Sequence, residues 1–374
     1  MIKSILIGSI FKGTEHFYIA NHFTYKKNSI VYIARDDREI FQIKNKLEWL
    51  LPKNKILIFR SWDQIPYDKV SPSKEIQSER IKTLYKILNY KNNIILTSVN
   101  AIVQKTVESN FIKNNLIVIS EKQKIDFNKF IIQLTNLGYQ RNSIVREKTE
   151  FSVRGSIIDI YLIEKNNPIR IDFFGDIVDS IKEFDFLTQK TLKKIHSEQI
   201  HINPASEILF TDNTIKSFRE NFRKYFRAYR KSEYYHSVTQ GIFQSGVEQF
   251  IPFFYKKLSN LFTYCENTDF LLNSEFLELL ETRIENIYNF YQSRIDANNI
   301  FNIHPDKLYL KANEIFALIE NNKVFQFNNF FIQNKKNFNI KIQPNLSSIK
   351  KEIDFNLIKK FFEINIDKKI IIIC

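Results

Sequence analysis

Apolar positions in the first 120 residues gather into short unbroken runs separated by longer amphipathic stretches. The runs are Ile5–Ile7, Ser29–Ala34, Lys55–Phe59, Asn93–Ser98 and Leu116–Ile119. Unbroken rather than alternating runs predict strands covered on both faces by helices. The clearest helix between them follows Ser71-Pro72, with Ser71 expected as N-cap and Pro72 at the first helical position. Its apolar stripe is Ile81, Leu84, Tyr85 and Leu88, the spacing of one helical face. Strands alternating with helices predict a parallel, doubly wound α/β sheet.

Near residue 122 the pattern changes. Asp126 is placed to cap a helix with the stripe Phe127, Phe130, Ile131 and Leu134, ended by Gly138. The period then drops to two. Phe151 and Val153 alternate with Ser152 and Arg154; Ile169, Ile171 and Phe173 share one face, and Arg170, Asp172 and Phe174 the other. Gly175-Asp176 reads as a turn. A small α+β domain, antiparallel-rich, is thus expected over about 122–203, inserted into the first.

Helical spacing returns after Pro204. Residues 214–231 carry Phe218, Phe222, Tyr225, Phe226 and Tyr229 on one face and Lys216, Arg219, Arg223, Arg227 and Arg230 largely on the other. Such a basic face suits phosphate contacts, but it reads first as the solvated side of an aromatic-anchored helix. Residues 274–295 form a further amphipathic helix. From 311 the chain turns polar and rich in Asn and Lys, which reads as a linker, before an apolar run, Ile370–Cys374, resembling the first strand of another domain. The run predicts a longer design interrupted there.

Composition changes this picture little. Of 374 residues 44% are hydrophobic, enough for real cores, and no apolar run has the length of a membrane span. Cys265 and Cys374 form no ligand pair, as suits a reducing cytoplasm. The net charge of +14 invites a nucleic-acid reading, yet the lysines are scattered and the whole chain is enriched in Lys, Asn, Ile and Phe.

The first strand is followed by Gly8-Ser-Ile-Phe-Lys-Gly13-Thr14-Glu15. Its two glycines have the spacing of a phosphate-binding loop, in which backbone N–H groups cradle phosphates, a lysine neutralises them and a hydroxyl holds magnesium. Here Thr14 stands at the lysine position and Glu15 at the hydroxyl position. The stretch is either a degenerate nucleotide loop (Gly8, Gly13, Thr14, Glu15) or an ordinary strand–turn–helix; both readings predict no ATP grip. No helicase acid box, G-x-S-x-G, C-x-x-C or H-E-x-x-H is present, and His196 and His201 are only a loose pair. No catalytic residue and no metal ligand is assigned.

Four segments carry a resemblance. They are Ser61-Trp-Asp-Gln-Ile-Pro-Tyr-Asp68 leading into Ser78–Tyr85; Ser98–Ala101; Gly138-Tyr139 with Phe151–Gly155, Asp159 and Arg170–Phe174; and Gly241–Glu248 with Pro252. In this order they resemble the amino-terminal part of the bacterial transcription-repair coupling factors, themselves similar to the damage-recognition protein UvrB. UvrB fits less well, because its intact phosphate loop is missing here and Arg60–Ser71 leaves no room for its DNA-clamping hairpin.

The resemblance implies a degenerate, phosphate-loop-NTPase-like parallel sheet with an inserted UvrB-domain-2-like domain. Residues 1–121 would be the first part of UvrB-like domain 1, 122–203 the inserted UvrA-binding-type domain, 204–310 the second part of domain 1, and 311–374 a linker and the start of a truncated third domain. It implies UvrA as partner, met through Arg154, Arg170 and Phe174, with Asp172 orienting an arginine. From the pattern alone, that face is equally a surface strand with one tolerated Phe. RNA polymerase, DNA, ATP and magnesium would belong to parts of the family protein absent from this chain, which is expected to hold no cofactor, to have no motor activity and to meet no membrane. Competing readings are a DNA-gripping translocase fragment, a UvrB-like damage-recognition protein, and a decayed gene product.

Overall fold

A computed structural model describes residues 3–338, apart from 27, 53–55, 196–198 and 298–300, together with Glu363. The apolar runs become strands β1 (Ile5–Gly8), β2 (Ile30–Ala34), β3 (Ile56–Phe59), β4 (Ile94–Ser98) and β5 (Ile117–Ile119). The helices between them are α1 (Glu15–Lys26), α2 (Asp37–Leu50) and α3 (Lys74–Asn89). The inserted region holds α4 (Phe127–Asn136) and strands β6 (Gln140–Arg141), β7 (Glu150–Arg154), β8 (Ile157–Ile160), β9 (Ile169–Phe174), β10 (Ile177–Phe184), β11 (Thr191–Lys194) and β12 (Ile200–Ile202). The remainder supplies α5 (Asp212–Tyr225), β13 (Asp269–Leu272), α6 (Phe276–Asp296), α7 (Ala312–Glu320), β14 (Val324–Phe327) and β15 (Lys336–Asn337).

The main sheet runs β15-β1-β14-β13-β2-β4-β3 with every pairing parallel. β2, β4 and β13 are buried at every position, which is why β2 and β4 read as unbroken apolar runs; β13 is not among those runs. The second sheet, β11-β10-β9-β8-β7-β6, is antiparallel except for β6 against β7. It lays Phe151, Ile158, Ile169, Ile171 and Phe173 against Phe130 and Leu134 of α4. Asp126 caps that helix as expected, accepting the Lys129 N–H at 2.9 Å. The antiparallel pair β5–β12 forms the neck through which the chain enters and leaves this region, Ile119 facing Ile200.

Four expectations are corrected. Ser73, not Ser71, caps α3 by accepting the Ile76 N–H; Ser71 instead donates to Glu248 at 2.6 Å and accepts the Gly246 N–H at 2.9 Å. β5 does not join the parallel sheet, because its one partner among the described residues is β12. Residues 311–338 are not a linker to a third domain: α7 packs on the first core, and β14 fills the slot between β1 and β13. The helix expected over 214–231 ends at Tyr225, with Phe226 already extended. The terminal run Ile370–Cys374 lies outside the described residues.

Glu207, just past the neck, ties the return of the chain to the first domain. Its carboxylate accepts from Trp62 Nε1 at 2.6 Å, Arg80 Nε at 3.1 Å and Thr106 Oγ1 at 2.8 Å. Its carbonyl accepts from the Tyr255 hydroxyl at 3.0 Å. Arg80 and Glu207 are both fully buried, the guanidinium lying 4.3 Å from the Phe59 ring centre and donating to the Arg60 carbonyl at 2.6 Å.

Candidate functional site

Side chains on the outer face of the second sheet line up in rows across the strands. One row is Ser152, Asp159, Arg170 and Lys182; the next is Arg154, Ile157, Asp172 and Ser180; Phe174 and Ile177 close the β9–β10 hairpin. The sheet therefore brings Arg154, Arg170, Asp172 and Phe174 onto one surface. Two-residue turns make this possible. Gly155 and Gly175 take φ of +60° and +58° at the first turn positions, the conformation that primed hairpin turns require and that side chains resist.

The face is organised around Asp159, whose side chain is 1% exposed. Arg170 grips it in a fork, Nε to Oδ1 at 2.8 Å and Nη2 to Oδ2 at 3.0 Å, and Arg154 Nη2 donates to the same Oδ2. Arg170 is further held 4.6 Å from the Phe184 ring centre and is 15% exposed; Arg154 keeps 46% of its surface. The two arginines thus differ in role. One guanidinium is braced on both sides, and the other is anchored at one nitrogen with its remainder offered to solvent. Phe174 is 80% exposed beside half-exposed Ile177, an apolar tip next to the arginine row.

Asp172 does not orient an arginine. It accepts from Lys182 Nζ at 2.6 Å and Ser180 Oγ at 2.7 Å, because Ser180 stands directly across from it and Lys182 one row on. Burial alone would raise its carboxyl pKa, but Lys182 and Ser180 together hold it below the usual range. The orienting carboxylate is Asp159, and it was legible as a lone acid in the apolar run Ile157–Ile160.

The loop after β1 is the second site. Gly8 ends the strand, Gly13 turns with φ of +90°, and Glu15 opens α1. Two of its N–H groups already have partners, Ser9 donating to the Phe330 carbonyl at 2.9 Å and Ile10 to the Asn328 carbonyl at 3.0 Å. The Thr14 N–H and hydroxyl both turn back to the Phe11 carbonyl, at 2.9 and 2.6 Å. Lys46 reaches the Gly13 carbonyl at 3.0 Å. Burial raises the Glu15 carboxyl pKa. The segment 328–337 lies across this loop so closely that a Cβ on Gly8 would fall 2.1 Å from Asn337 Oδ1 and 2.9 Å from the Phe330 carbonyl oxygen.

Of the loose histidine pair, His196 lies outside the described residues and His201 shares a 2.5 Å hydrogen bond with the Tyr85 hydroxyl. Among the described residues no group of three His, Cys, Asp or Glu is placed to hold a metal, and no helix is long and apolar enough to cross a membrane.

Residues 117–208 match the model of a family described as the UvrB interaction domain. The chain is 30% identical over 368 residues to the transcription-repair-coupling factor of Rickettsia bellii, which covers 95% of this chain and 32% of that protein. Against the protein of the same name in Rickettsia prowazekii it is 31% identical over 373 residues, again 95% of this chain and 32% of that protein. Against that of Escherichia coli K12 it is 27% identical over 296 residues, 78% of this chain and 25% of that protein. The chain thus spans between a quarter and a third of the length of these curated relatives.

Proposed function

The chain is, over nearly its whole length, a relative of the transcription-repair-coupling factors, and from that premise we propose that it serves transcription-coupled repair as a docking module whose inserted domain receives UvrA. The observation that carries the reading is a coincidence of place. The match to the UvrB interaction domain, residues 117–208, brackets the neck and the second sheet, and it is this sheet that presents Phe174 and Arg154 on one outer face, with Ile157 in the row of Arg154 and Ile177 beside Phe174. Exposed aromatic and arginine side chains are the residue types that most often anchor protein interfaces.

In this reading Phe174 enters an apolar recess of the partner, Arg154 meets a carboxylate there, and Arg170 with Asp159 holds Arg154 in position. The module contributes no nucleotide chemistry of its own. In the loop Gly8–Glu15 the Ser9, Ile10 and Thr14 N–H groups donate to backbone carbonyls, and Thr14 and Glu15 occupy the positions where a lysine and a hydroxyl would meet phosphate and magnesium. Any ATP-driven step, and any contact with RNA polymerase, belongs to sequence outside this chain.

The test is a pull-down with purified UvrA. Phe174→Ala combined with Arg154→Glu should weaken binding at least tenfold while far-ultraviolet circular dichroism stays unchanged. Binding at native strength by the double variant would overturn the assignment of this face. Arg170→Glu is a poorer probe, because it sets an acid against buried Asp159 and should unfold the sheet as well.

A further inference from the structure

The chain is biased toward lysine, with 41 lysines and 14 arginines, yet four of those arginines fall within twelve residues: Arg219, Arg223, Arg227 and Arg230. A drift toward lysine spreads basic residues along a chain and removes arginine; it does not gather arginine in one place. Lys216, Lys224 and Lys231 join the cluster, against the single acid Glu220 between 216 and 231.

Among the described residues six of the ten other arginines serve as ion-pair partners, the unpaired Arg38, Arg141, Arg146 and Arg283 being scattered along the chain rather than gathered. Arg35 meets Glu39 and Glu275, Arg60 meets Asp37 and Glu79, Arg80 meets Glu207, Arg154 and Arg170 meet Asp159, and Arg294 meets Asp68. Among the described residues none of the four clustered arginines has a carboxylate within ion-pair distance, although Arg223, Arg227 and Arg230 are exposed. Lys216, Arg219 and Arg223 follow one another at i, i+3 and i+7 on α5, on the side away from buried Phe218 and Phe222. Arg227 and Arg230 continue the row on the segment leaving the helix.

We propose that this row of unpaired arginines on and beyond α5 is a binding surface for the phosphate backbone of duplex DNA. Guanidinium forks match phosphate oxygens, and Arg219 and Arg223 stand one helical turn, about 5.4 Å, apart on α5. The aromatics of this segment are already engaged. The Tyr229 ring centre lies 5.7 Å from the Arg230 guanidinium, and the ring packs on Tyr235. The Tyr225 hydroxyl accepts the His304 N–H at 3.1 Å, Lys307 Nζ lies 5.9 Å from its ring centre, and its edge packs on Phe226. That leaves no free ring on which an unpaired base would stack, so the surface suits a duplex gripped by its backbone rather than a single strand. The proposal does not depend on the UvrA face, since α5 lies outside the inserted domain.

The experiment is fluorescence anisotropy of the whole chain with a labelled mixed-sequence 30-base-pair duplex, titrated with salt. Arg223→Glu, Arg227→Glu and Arg230→Glu together should weaken binding at least tenfold at about 50 mM salt and lower the salt slope by about 2–3, close to 0.9 for each phosphate no longer neutralised. A charge-matched control, Lys26→Glu with Lys113→Glu and Lys335→Glu, should bind within threefold of native, and melting curves report that both variants fold. Equal weakening in the two variants would overturn the proposal, as would no duplex binding by the native chain at that salt. Tighter binding of a single-stranded oligonucleotide than of the duplex would also overturn it.

Discussion

Glu207 and His16 show how far single side chains in this molecule depend on burial. Glu207 has its two carboxylate oxygens filled by Trp62, Arg80 and Thr106, in a place neither it nor Arg80 shares with water. Removing the carboxylate strands a buried guanidinium, so Glu207→Ala should cost about 3–5 kcal/mol. The measurement is the urea midpoint, and a loss under about 1 kcal/mol would mean that Arg80 finds another partner. His16 is buried with Nδ1 unpartnered, and burial, helped by the charge of Lys46, lowers its pKa to about 4. Between pH 6.5 and about 4 the unfolded chain therefore takes up a proton that the folded chain refuses. Stability from this residue is present above pH 6.5 and is lost as pH falls to 4. His16→Gln should melt with a shallower dependence across that window, checked by thermal denaturation at pH 7.5, 5.5 and 4.5. The residues of the docking face were legible in part for the same reason. Alternation across β7 and β9 placed Arg154, Arg170 and Phe174 outward, whereas the choice of Asp159 over Asp172 depends on which strands stand side by side, which no single strand reveals.

At the scale of elements, the loop after β1 is defined by what lies on it. Segment 328–337 sits so near Gly8 that no side chain fits there, and Gly8→Ala should lift the segment and cost about 1–3 kcal/mol by crowding. Urea unfolding checks the cost, and retained stability would show that the segment is free to yield. With Ser9 and Ile10 already donating to carbonyls, isothermal calorimetry with millimolar ATP and magnesium should give no saturable heat. Saturable binding would refute the reading of a spent loop. Strands were read correctly where burial on both faces made them continuous, as in β2 and β4. β14 escaped because Val324-Phe-Gln-Phe327 is four residues long inside an Asn- and Lys-rich stretch, and an average over that stretch hides it. Ser71 reads as the cap because Pro72 after it suits the first helical position. The fold commits Ser71 to Glu248 instead, a contact between residues 177 apart.

Across the whole molecule, two sheets share one hydrophobic cluster. It runs from Phe59 and Trp62 through Phe130 and Phe173 to Phe218 and Phe250. The neck and Glu207 lie along the path between them, so the docking face is carried on a braced body rather than a loose appendage. Weakening the Glu207 cluster should lower UvrA binding only as far as it lowers folding. A binding curve for Glu207→Gln, corrected for the folded fraction, should superimpose on the native one. Whole-chain basicity, by contrast, marks no surface; what sets the proposed one apart is the gathering of arginine rather than lysine and, among the described residues, no carboxylate within ion-pair distance of Arg223, Arg227 or Arg230.

β14 also sets a clock. Among the described residues β1, at residues 5–8, pairs with strands at 324–327 and 336–337 alone. At translation rates of about 5–20 residues per second, the first strand made waits roughly 15–60 s for its neighbours. Throughout that interval Ile7 stays uncovered on a growing polypeptide, joined near its end by the flank of β13 that β14 will cover. Nascent chains halted short of residue 324 should therefore be cut readily by protease and held by chaperones, and those carried past 338 should not. The earliest strand of this chain is thus covered by its own late sequence.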